Sequence, residues 1–250
     1  MKDMSCLGSG PYAFFMASAL KESNYSKKIK ELVYYKAPKA PAADSAEIVM
    51  ADVITTLFPL GWSKEGLFAY AEYSIAYEGS HNVAYTIKNM NSGDTLWRKE
   101  IAYGIVSDTA ELYFEFDPAA VVLVNGTESK EQVFKYMWLL SEKEVLPGLK
   151  KEGIVFDPAV AFTKQAGYQG ISFEIEQALE SEDILSEYTL KSNKYGPRVI
   201  YKDYFGEQPE VAGLIRSPYT ETLVVVCRQR RPLFEMEREI VPILVGYKLD

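Results

Sequence analysis

FPLGWSKEGLFAYAEYSIAYEGSHNVAYTIKNMNSGDTLWR, from Phe58 to Arg98, is the stretch whose reading decides the fold. Turn residues break it at Ser63-Lys64-Glu65-Gly66, around Gly79-Ser80 and at Asn91-Ser92-Gly93-Asp94. Between the breaks run Ala, Val, Ile, Phe and Tyr, the side chains that suit a pleated surface, so three antiparallel strands in sequence are expected. A strand period of two puts Ala69, Ala71 and Tyr73 on one face and Phe68, Tyr70 and Glu72 on the other. In the next strand Val83, Tyr85 and Ile87 oppose Ala84, Thr86 and Lys88.

Outward from this meander, EIVMADVITTL (47–57) reads as a strand, AELYFEFD (110–117) alternates as a half-buried strand, and AAVVLV (119–124) is a short apolar one. A helix is expected over Thr127 to Val145, with Ser129 and Gln132 as a capping box and Pro147-Gly148 as its stop. GISFEIEQAL (170–179) alternates again. YTLKSNKYGPRVIYKDYF predicts a hairpin turning near Asn193 to Pro197, and TLVVVCRQRRPLFEMEREIVPILVGYKL two long strands around a charged loop. Residues 1–45 read as a helical arm followed by a Pro- and Ala-rich connector, and 46–250 as one β-rich domain with a helical insertion near 128–146. The expected class is mainly β with an inserted α-helix, its antiparallel meander sheets in a partial propeller-like or sandwich arrangement.

Pro59-x-x-Trp62-Ser63-x-x-Gly66-x-Phe68-Ala69-Tyr70, with the following AYTIKNMNSGDTLWR, resembles one blade of a TolB-type β-propeller, in which a Ser-Pro-Asp-Gly-like turn precedes a strand ending Ala-Phe or Ala-Tyr. Here the proline precedes the serine by four positions and Glu65 replaces the aspartate. A partial echo is SPYTETLVVV from Ser217, continued by VPILVGYKLD at the end of the chain. The resemblance covers about a third of the chain and implies a role in protein–protein contacts.

Composition bounds function by exclusion. A net charge of −8 gives no general attraction to nucleic acid or anionic membrane, and no apolar run reaches the length of a bilayer span. PYAFFMASA near the start ends in a small-x-small pattern, which leaves a cleaved signal and an extracytoplasmic location open beside the blander reading, a first helix. Cys6 and Cys227 form no CxxC; Cys227, in LVVVC, reads as a buried thiol. No phosphate loop, dinucleotide fingerprint, calcium loop or zinc-ligand set occurs, so neither cofactor nor metal is expected. His81 is the single histidine and reads as an exposed loop residue.

No catalytic residue stands out. A glycosidase needs two carboxylates about 5 to 9 Å apart, for which Glu115 with Asp117, or Glu174 with Glu176, are the candidates; each pair also reads as the solvated face of a strand. Trp62, Tyr70 and Trp97 are candidate contacts to a sugar or peptide, and Arg228, Arg230 and Arg231 a candidate anion clamp, with Glu235, Glu237 and Glu239 placed to pair with them instead. The expected function is a non-enzymatic binding or protein-interaction module with a protein or carbohydrate partner. A carbohydrate-active hydrolase using two carboxylates is the alternative, and a purely structural subunit a third.

Overall fold

A computed structural model of the chain describes Ile29 and residues 53–75, 80–104, 112–115, 129–157, 160, 162–180, 185–203, 209–232 and 238–249. The expected arm and connector, the strand at 119–124 and the loop carrying Glu235 and Glu237 lie outside these residues. Ile29 alone of the arm is described, and it is fully buried.

Strands β1 (Val53–Ile54) and β2 (Thr56–Trp62) lead into the meander β3 (Leu67–Ile75), β4 (His81–Asn89) and β5 (Thr95–Tyr103), followed by β6 (Leu112–Phe114) and helix α1 (Lys130–Lys151). Three two-residue strands come next: β7 (Val155–Phe156), β8 (Phe162–Thr163) and β9 (Gly167–Tyr168). Then follow β10 (Ile171–Glu180), β11 (Leu185–Ser192), β12 (Arg198–Asp203), β13 (Glu210–Arg216), β14 (Thr222–Pro232) and β15 (Arg238–Lys248). The protein is mainly β, with antiparallel sheets and a single helix among the described residues.

Three sheets stack in layers. A six-stranded sheet of order β6-β5-β4-β3-β2-β7 is curled like half a barrel. A central five-stranded sheet has the order β1-β15-β14-β13-β8, and an outer four-stranded sheet the order β12-β11-β10-β9. The meander strands thus share the curled sheet, while β14 and β15 share the central one. Most pairs are antiparallel; β1 with β15 and β5 with β6 are parallel.

Alternation along each strand builds the layers. Ala69, Ala71, Tyr73, Val83, Tyr85 and Ile87 face the hollow of the curled sheet, where α1 lies with Phe134, Met137, Trp138, Val145 and Leu149 inward. Phe68 and Tyr70 point the other way, onto Ile215, Val224, Val226 and Leu244 of the central sheet. Leu223, Val225, Cys227, Val245 and Tyr247 face the outer sheet, meeting Ile171, Phe173 and Leu190. The run LVVVC is apolar at every position because β14 is buried on both faces; each such side chain contributes about 1.5–3 kcal/mol on burial. Cys227 is fully buried with a free thiol whose pKa burial pushes up to about 12. It stays protonated at neutral pH, so a thiol reagent will label it only after denaturant is added. Labelling of Cys227 in the folded protein, located by peptide mapping, would contradict this.

Helix α1 departs from expectation at its end. Ser129 is the N-cap, and its hydroxyl accepts from the Gln132 amide at 3.2 Å. The helix then runs through Pro147 instead of stopping there. Proline removes one backbone donor, but packing holds the last turn: Leu149 is buried, and the Trp97 indole lies so close to Gly148 that a Cβ there would sit 2.7 Å from it. The stop is Glu152-Gly153. Gly153 takes a left-handed φ of 67°, and the Ile154 amide turns back to the Leu149 carbonyl at 2.9 Å.

Candidate functional site

The seam between the curled and central sheets changes character along its length. One end is apolar, closed by Phe68, Met90 and Leu244. At the other end it opens into a cleft of about 380 Å³ whose walls carry charge: Glu72, Arg98 and Glu100 from the curled sheet, Arg231 and Glu239 from the central one. Thr55, Ser74 and Asn82 add neutral polar groups.

Strand pairing explains the hollow. Glu72 lies opposite Ala84, and Ala84 opposite Glu100, so two glutamates flank an alanine across three strands of the same face. Their backbones are two strand spacings apart, about 10 Å. The small Ala84 leaves room between them, into which the Arg98 side chain reaches. One row along, Arg98 lies opposite Thr86 and reaches back to both acids. Its Nη1 donates to Glu72 Oε2 at 3.4 Å, while its Nε and Nη2 donate to Glu100 Oε1 at 2.9 and 2.7 Å.

Burial pushes the Glu72 carboxyl above the usual carboxylate range, against the downward pull of Arg98, Lys88 and Arg231. Burial likewise lowers Lys88, with Glu72 opposing, and the Lys88 ammonium bridges the seam to the Leu244 carbonyl at 3.5 Å. Tyr70, beside Glu72 on β3, is pushed up by burial and by the Glu72 charge. With Lys88 counted, three cations face the three carboxylates, and desolvation of Glu72 still outweighs their pull.

A second hollow, of about 440 Å³, lies between the end of β2 and the β13–β14 turn. Trp62 and Asp157 form one side, and Arg216, Ser217, Tyr219 and Glu221 the other. Trp62 is nearly fully buried, and its Nε1–H has no acceptor among the described residues.

The residues singled out by sequence fall in separate places. Trp62 forms part of the second hollow and Arg231 part of the charged cleft, where it stands opposite Glu239 in the β14–β15 ladder. Tyr70 is packed in the seam, and Trp97 against α1. Arg228 pairs with Glu210 on the neighbouring β13, and Arg230 stands opposite Ile240. Glu174 and Glu176 share the exposed face of β10, Glu176 pairing with Lys191; Glu115 is exposed, and Asp117 lies outside the described residues. His81 is not an exposed loop residue. It opens β4 half-buried, its ring stacked on Tyr73 and its Nδ1 2.8 Å from the Tyr73 hydroxyl, because the strand begins one residue after Ser80.

Sequence reading overlooked Glu72, Arg98 and Glu100 as site residues, and took Glu239 only as a partner for the arginines. A signal was present: an Arg-x-Glu pair at 98 and 100 on the same face as Glu72, with Ala84 between, needs only the meander register to become a cluster.

Among the described residues no three His, Cys, Asp or Glu side chains are grouped to hold a metal ion, and no helix is long and apolar enough to cross a membrane. No protein-family model, no curated protein and no solved structure matches the chain.

Proposed function

We propose that the protein is a non-enzymatic interaction module that takes a basic side chain of a protein partner into the charged cleft. The observation carrying this reading is the half-buried Glu72, its carboxyl pKa raised by desolvation, facing a hollow beside Glu100 and Glu239. An incoming guanidinium or ammonium would favour its ionised form. Hydrogen bonds between ions are the strong ones, and a partly desolvated wall strengthens them further.

The test uses acetyl-Gly-Arg-Gly amide as probe, titrated into the protein and followed by amide shifts. Binding is expected to weaken at least tenfold in the Glu72→Gln, Glu100→Gln double variant, and to weaken as salt is raised from about 20 to about 200 mM. Affinity should rise with pH through the elevated Glu72 pKa, since the carboxyl must be ionised to meet the cation. A probe that binds equally well to both proteins, or does not bind at all, refutes the reading.

One observation favours the alternative, a carbohydrate-active hydrolase. Glu72 and Glu100 are two carboxyls in one hollow, the first with a raised pKa, as a general acid requires. Arg98 lies between them, however, in the space a glycosidic bond would need, and no aromatic side chain among the described residues lines the cleft. Turnover of 4-nitrophenyl glycosides that disappears in Glu72→Gln and in Glu100→Gln singly would replace the binding reading with this one.

A further inference from the structure

Two features bring unlike groups together at the second hollow. Gly61, at φ 143°, lets β7 lie directly on β2; a Cβ there would sit 2.0 Å from the Val155 carbonyl oxygen. The Asp157 amide continues that contact, donating to the Leu60 carbonyl at 3.1 Å, which sets Asp157 beside Trp62. Opposite, the turn after β13 is stitched internally. The Ser217 hydroxyl accepts from the Tyr219 and Thr220 amides, each at 3.2 Å, and Thr222 donates to Asn91 on the curled sheet at 3.3 Å. Tyr219 is thereby presented at the rim, 44% exposed, instead of folding into the core.

We infer that this hollow is a second binding site, separate from the charged cleft, and that it takes a neutral saccharide. Tyr219 offers a ring face against which the C–H groups of a sugar can stack. Asp157 and Glu221 supply carboxylate oxygens that accept paired hydroxyls, and Arg216 supplies donors in a fixed fork. Arg216 is held in place: Glu221 takes its Nη2 at 2.9 and 3.1 Å, and its guanidinium lies over Tyr168 at 5.6 Å. That pairing neutralises both charges, so an ionic ligand would meet little field. The indole Nε1–H of Trp62 is closed off from solvent and has no acceptor among the described residues, so a small rotation of the ring toward the hollow would give it one in a ligand hydroxyl. A stitched turn also removes the ordering cost that a floppy loop would add on binding.

Cellotriose, maltotriose and chitotriose at millimolar concentration are the probes, followed by saturation-transfer NMR and by tryptophan fluorescence. At least one is expected to bind. Tyr219→Ala should weaken it about three- to tenfold through lost stacking. Trp62→Phe, which keeps an aromatic ring but removes the pyrrole ring with its N–H, should weaken it about two- to tenfold. Thermal melts identify a variant that fails to fold, and Tyr219, being exposed, keeps the test meaningful if the Trp62 variant does. If none of the three saccharides binds, or if binding survives Tyr219→Ala unchanged, the inference is wrong. None of these residues lines the charged cleft, so this site and the peptide reading stand or fall separately.

Discussion

Replacing Gly246 with alanine is expected to destabilise the protein by about 3 kcal/mol or more, well beyond an ordinary substitution of a strand glycine. Gly246 lies on β15 and is fully enclosed where the central sheet meets the β4–β5 turn. A Cβ there would come within 1.7 Å of the Met90 carbonyl oxygen and 2.4 Å of its carbon. Both are backbone atoms, so no rotamer change can relieve the clash; the turn and the sheet must separate. Separation would open the apolar end of the seam around Phe68, Met90 and Leu244. The control is Gly196→Ala in the β11–β12 turn, where a Cβ meets nothing within 4 Å, and which should change stability by no more than about 0.5 kcal/mol. Urea unfolding of the two variants decides the matter: equal midpoints would show that the sheets are not in backbone contact.

Phe134→Ala is the second large effect, with an expected loss of about 3–5 kcal/mol. Phe134 is fully buried on the inner face of α1, its ring stacked 4.0 Å from that of Phe58 at an interplanar angle of 7°. Tyr85 closes the other side at 6.3 Å. Truncation would leave a ring-sized void bounded by aromatic groups that cannot collapse into it, so the cost combines lost transfer energy with a cavity term. Near-UV circular dichroism should change as well, since Tyr85 and Trp138 are in edge contact 5.8 Å apart in the same cluster. A loss below about 1.5 kcal/mol would mean that α1 is not docked in the curled sheet.

The strands were legible because each face of the meander is read by a distinct neighbour. Tyr73 and Tyr85 look to α1, Phe68 and Tyr70 to the central sheet, and a period of two separates them in the sequence itself. The layering was less so. LVVVC is apolar at every position, and nothing local says which valine faces which sheet. The helix end was misread because Pro147-Gly148 is a strong local stop, while the packing of Leu149 and Trp97 that overrides it comes from residues distant in sequence. The charged cleft was hidden for a related reason. Its acids are scattered over residues 72, 100 and 239, and only pairing through Ala84 and across the seam collects them. Carboxylates close together in sequence, such as Glu174 and Glu176, attracted attention instead and sit on an open face.

The uniformity of β14 has a consequence for how the chain finds its alignment. Val224, Val225 and Val226 are interchangeable in size and shape, so sliding the strand by one position would swap the two cores it serves with little change in either. The apolar half of the strand is a ruler without graduations. The graduations lie beyond it, where Arg228 pairs with Glu210 on one side and Arg231 faces Glu239 on the other. A slip of one position would break the first pair and carry Arg231 away from Glu239, while turning charged side chains to the opposite face. Gly246, which alone fits against Met90, adds a third mark on the neighbouring strand. The charged arm of β14 is thus the vernier of the molecule, fixing to a single residue an alignment that the valines leave undetermined.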